Sequence, residues 1–139
     1  MRSVSVLIMA GAIAGCTTAP PPPTDLAESQ AKLQNVIQGR VAGQPVNCLP
    51  SYLSRTTRMV VIDNQTVAFE VPGGTTYINH LEAGECSGLD SGWYQLVTNS
   101  YGSLGLCSGD TARLVDTRNG VGVGSCVIGD FTPYTRAAS

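Results

Sequence analysis

Lysine, histidine and tryptophan each occur once in the 139 residues, and only 13% of the side chains are charged. Each scarcity removes a class of function. With eight basic against ten acidic side chains the formal net charge is −2, so the basic face on which nucleic-acid binding depends is missing. There is no Cys-x-x-Cys pair, and a single histidine, His80, cannot complete a closely spaced ligand set, which argues against structural zinc and a thioredoxin-like redox motif. A phosphate-cradling loop needs a lysine and a following helix. Gly73, Gly74, Gly102, Gly105 and Gly109 have neither and read as turn and bulge residues. No cofactor is implied. Nor does any apolar run reach the roughly 20 residues that a helix needs to cross a bilayer core.

What the sequence does have begins at its start. Arg2 precedes an apolar stretch from Val4 to Ile13, which ends in Ile13-Ala14-Gly15-Cys16. A short apolar segment closed by small residues reads as a signal peptide over residues 1–15, cleaved before Cys16. The tetrad resembles the bacterial lipobox, and that resemblance implies lipid on the Cys16 sulfur, acylation of the new amino group and a firm membrane anchor. Thr17 and Thr18 follow the cysteine with no aspartate, which in a double-membrane bacterium implies, by the rule of the lipoproteins it resembles, the outer membrane, facing the periplasm. Without the signal, seven basic and ten acidic side chains remain, a formal −3.

Residues 16–24 form a lipidated tether, because Pro20, Pro21, Pro22 and Pro23 favour extended polyproline geometry and act as a stiff spacer. From Asp25, with Glu28 at capping-box distance, Leu26, Leu33, Val36 and Ile37 recur at helical intervals up to Gly39. The pattern predicts an amphipathic helix over 25–39 that packs on a globular body.

From residue 41 to 135 the helical period gives way to short β-rich runs separated by turn signals. Strands are predicted at 58–62, 66–71, 75–79, 93–98, 104–107, 111–116 and 121–128, with the 66–71 strand burying one face. Asn119-Gly120 marks a two-residue hairpin turn. The expected fold is mainly β, a small antiparallel sandwich or barrel of six to seven strands. So small a domain needs covalent staples. With Cys16 assigned to lipid, Cys48, Cys86, Cys107 and Cys126 leave two disulfides. Three connectivities exist, of which Cys86–Cys107 with Cys48–Cys126 is the expected one, joining neighbouring segments and tying the domain's start to its last strand.

His80 reads as an ordinary loop histidine, and no acid sits in a recognisable catalytic motif, so no catalytic residue is assigned. Asn64-Gln65-Thr66 is a formal glycosylation sequon without consequence in a bacterial chain. The aromatics Tyr52, Trp93, Tyr94, Tyr101 and Tyr134 are the candidate contact residues. Trp93, Tyr94 and Tyr101 are best placed to face a ligand, and at least three of the five are expected in the core.

The strings Asn79-His80-Leu81, Cys86-Ser87-Gly88-Leu89, Leu106-Cys107-Ser108-Gly109-Asp110 and Ser125-Cys126-Val127-Ile128-Gly129-Asp130-Phe131 occur together. Over residues 48–134 they resemble a group of small exported proteins of Gram-negative bacteria, often lipoproteins, that have no assigned activity. The resemblance implies a four-cysteine framework and carries no catalytic residue. The expected function is that of a lipid-anchored binding or structural module meeting an envelope protein or glycan. The rivals are a hydrolase inhibitor acting through a loop at 82–92 or 99–105, and a small enzyme or thiol redox protein.

Overall fold

The structure is a computed structural model that describes residues 23–49, 57–84, 86–99 and 105–138. Cys16, the tether up to residue 22, Tyr52 and Tyr101 lie outside the described residues. The one α-helix among the described residues, α1 (Pro23–Ile37), starts two residues before the expected Asp25, with Pro23 in the first turn, where a missing N–H costs nothing. Gly39 follows it at φ 69°, the left-handed geometry that closes a helix.

Eleven strands follow among the described residues, arranged as a sandwich with α1 against one outer face. The first sheet contains β1 (Arg40–Ala42), β11 (Phe131–Arg136), β5 (Thr76–His80), β4 (Thr66–Glu70) and β3 (Arg58–Val61), in that order and antiparallel throughout. The second is β6 (Glu82–Gly84), β10 (Gly122–Val127), β9 (Thr111–Asp116) and β7 (Tyr94–Thr98). β2 (Cys48–Leu49) and β8 (Leu106–Cys107) form a separate two-stranded pair. Among the described residues no sheet closes into a barrel. The count exceeds the expected six to seven because β1, β2 and β6 are too short to show a period.

β11 escaped the sequence reading for a different reason, since Pro133 sits in mid-strand. Its carbonyl accepts from Gly43 N–H at 2.7 Å and Phe131 exchanges both bonds with Val46, so the missing Pro133 donor faces the β1 side. There the partner chain has left the ladder between Gly43 and Val46, and no bond is lost.

The main core lies between the two larger sheets and includes Val67, Phe69, Leu96, Leu114, Ile128 and Phe131, with the Phe69 and Phe131 rings 5.7 Å apart edge to face. A second, smaller core lies under the helix, where Leu33, Val36 and Ile37 pack on Ile62, Ala68 and Ile78. β4 is therefore buried on both faces, Val67 and Phe69 toward the sandwich and Ala68 toward the helix, rather than on the one face its alternation predicts. Asn79 is fully buried and binds the β10–β11 connection by donating to Gly129 O at 2.6 Å and Asp130 O at 3.2 Å. A side chain at Gly129 would collide with the His80 carbonyl, so the connection closes tightly only with glycine there.

Two further expectations are corrected. The β9–β10 hairpin closes through four residues, Thr117 to Gly120, rather than two. Asp116 N–H bonds Val121 O, Gly120 N–H bonds Asp116 O, and Gly120 takes φ 73°. The disulfides are Cys48–Cys107 and Cys86–Cys126 instead of Cys86–Cys107 and Cys48–Cys126. Strand pairing is the reason: Cys48 and Cys107 are direct partners in the β2–β8 ladder. Cys86 follows β6, whose partner is β10, and so comes within reach of Cys126.

Candidate functional site

Alternation along β7 separates two of the aromatics that the sequence places side by side. Tyr94 turns inward, half-buried against the main core, while Trp93 projects with 56% of its surface exposed. Tyr134 packs against the helix-side core, so it is structural. Of the three favoured contact aromatics, Trp93 alone presents itself to solvent within the described residues.

The β9–β10 turn holds the main chain at Trp93. Thr117 donates to Trp93 O from its backbone nitrogen at 3.1 Å and from Oγ1 at 3.0 Å. Asp116, buried opposite Tyr94, accepts from Arg118 N at 2.8 Å and Nε at 3.0 Å on one oxygen, and from Nη2 at 2.6 Å on the other. This fork sets the guanidinium 5.0 Å from the Trp93 ring centre, a cation–π contact. The same hydrogen bonds hold the Asp116 carboxyl at about 2, below its ordinary 3.8, and raise Arg118 in return. Val121 and Val123, 55% and 46% exposed, lie at the same end of this sheet. The result is an exposed aromatic beside a cation that a buried acid fixes. Its sequence signal was partial: Trp93 was legible, but nothing local marked Asp116 and Arg118 as its supports.

A second feature is a groove of about 510 Å³ between the first half of α1 and the β3–β4 turn, with Leu26 and Ser29 on one side, Asp63 and Asp90 on the other, and Thr66 and His80 at the sheet. It continues around the turn into a cleft of about 330 Å³ beside Ser87 and Cys126. His80 Nδ1 lies 3.2 Å from Thr66 Oγ1, the contact that two directly opposed residues on adjacent strands make. Thr66 itself is only 6% exposed. Asn64 of the formal sequon is structural, its Oδ1 accepting from Gly88 N at 2.8 Å and Asp90 N at 3.3 Å. These bonds tie the 3-10 turn Leu89–Ser91 to the β3–β4 turn. Because 82–84 form strand β6 and 88–91 are tied down in this way, much of the 82–92 segment is held against the body of the sandwich.

Comparison with known proteins gives no match: no family model matches the chain, and no curated protein or solved structure matches it.

Proposed function

We propose that the protein is a lipid-anchored lipoprotein of the bacterial cell envelope, acylated at Cys16, which binds an envelope protein through the face centred on Trp93. The carrying observation is an indole that is 56% exposed and lies against the Arg118 guanidinium, which Asp116 holds in place. Tryptophan and arginine are the residues most enriched at the energetic centres of protein interfaces, and a side chain immobilised beforehand loses less entropy on binding. The lipobox-like tetrad and the proline tether support the anchor, and two disulfides suit a small module working outside the cytoplasm. Inhibition of a hydrolase is one form that such a contact takes. With 88–91 tied to Asn64, an inhibitor would act through the Trp93 face rather than through that segment.

The test uses the full chain expressed in a Gram-negative host. Intact mass after detergent extraction should correspond to a chain beginning at Cys16 plus acyl groups, and Cys16→Ser should move the protein out of the membrane fraction. An uncleaved or unacylated chain overturns the anchor. A photo-crosslinking residue at Val121 should trap a partner protein, and Trp93→Ala should weaken that contact by about tenfold or more. Equal trapping with and without the indole overturns the binding face, and trapping of glycan alone replaces the protein partner.

A further inference from the structure

The apolar stripe of α1 is only partly used in packing. Leu33, Val36 and Ile37 cover Ile62, Ala68 and Ile78, whereas Leu26, two turns before Leu33 and so on the same helix face, stays 59% exposed. Beside it lies the groove of about 510 Å³, with Leu26 and Ser29 on the helix side and the buried Leu81 on the side of the sandwich. An apolar residue on a packing face, open to a groove, has surface left to cover.

The polar lining of the same groove carries charge of one sign. Asp63 and Asp90 are in it, and among the described residues that line it there is no lysine or arginine. Neither acid belongs to an ion pair, since the pairs among the described residues are Lys32–Glu28, Arg58–Glu70 and Arg118–Asp116. Lys32, the only lysine, shares a smaller hollow with Asp90 but is held by Glu28 at 3.0 Å. Asp63 spends Oδ1 on Gln65 N–H at 2.8 Å and keeps its other oxygen for a further donor. Glu82 adds a carboxylate where the groove runs on into the cleft of about 330 Å³. These acids are strung along the groove rather than gathered, and among the described residues no three metal-ligating groups converge. A small metal cation would in any case leave Leu26 uncovered.

We infer that the groove and its cleft take an extended, lysine-bearing segment of a partner polypeptide, whose ammonium groups meet Asp63, Asp90 and Glu82 and whose aliphatic stems cover Leu26. Lysine matches both halves of the lining, because its charged head pairs with carboxylate while its methylenes lie on apolar surface. At about 510 Å³ the groove falls within the roughly 300–1,000 Å³ usual for ligand sites, and the cleft extends it, so it suits a length of chain rather than one side chain. The inference depends on neither the lipid anchor nor the Trp93 face.

The experiment titrates the full chain in detergent with trilysine and follows its NMR resonances. Those of Leu26, Ser29, Asp63, Glu82 and Asp90 should shift together and saturate, while triglycine at matched ionic strength leaves them in place. Stationary resonances, or shifts centred elsewhere on the molecule, overturn the site. Asp63→Asn and Asp90→Asn should each raise Kd about fivefold. Both variants keep the fold intact, since asparagine at 63 retains the oxygen that Gln65 N–H needs and the bond at Asp90 is made by its main chain. Leu26→Ser should weaken binding as well, and an unchanged Kd there would reduce the effect to surface charge and overturn the groove. Equal affinity for cadaverine would assign the groove to small amines and overturn the polypeptide.

Discussion

Asp116 shows how one buried side chain can set the behaviour of an exposed one. It accepts three hydrogen bonds from Arg118 and thereby fixes the cation beside Trp93. Its carboxyl titrates near 2 in the folded chain against an ordinary 3.8, so the folded state favours the ionised form. The stabilisation is complete above the ordinary value and is lost as pH falls from about 4 through about 2. Asp116→Asn should therefore be less stable than the unmutated protein at neutral pH, and the gap should narrow over that acid interval. Parallel stability curves would refute the linkage. Because Trp93 is the only tryptophan, its fluorescence anisotropy reads the other consequence directly, a more mobile indole in the variant.

Packing of whole elements turns on small residues where helix meets sheet. β4 places Ala68 under α1 and Val67 on the opposite side, so a helix of modest apolar content covers a strand that would otherwise expose its second face. Ala68 is fully buried, and a larger side chain there must lift the helix or shift the strand. Ala68→Leu should lower stability by about 1–3 kcal/mol in denaturant unfolding. Leu33→Ala, which alone is also destabilising, should cost less in the Ala68→Leu background, and strict additivity of the two would show that they do not share this interface. At the same scale, Pro133 shows that a central strand tolerates proline when its neighbour bends away at the position of the missing donor.

For the molecule as a whole, the disulfides link segments that are distant along the chain. Cys48–Cys107 and Cys86–Cys126 span 59 and 40 residues, and the chain-entropy model gives each about 4 kcal/mol. The pair Cys86–Cys126 lies in the main core, whereas Cys48 and Cys107 are only half-buried. Mild reductant should therefore open Cys48–Cys107 first. Chymotryptic mapping without reduction checks the connectivity, since the enzyme can cut at Trp93 and Tyr94 between Cys86 and Cys107, a span with no lysine or arginine for trypsin. A peptide linking Cys86 to Cys107 would refute the observed pairing.

What could be read from the amino-acid order was local. β3, β4, β5, β7, β9 and β10 lie within one or two residues of their predicted positions, because alternation and turn residues act over a few neighbours. The helix was legible for the same reason. The strand β11 was hidden by Pro133, and β2 and β8 are too short for either to predict the other. Everything that depends on which distant segments meet was decided by the tertiary structure: the two covered faces of β4, the disulfide partners and Arg118 beside Trp93. A local pattern can say that a strand forms, but its register against another strand is chosen by the burial of both together, and that choice exists only in the assembled sandwich.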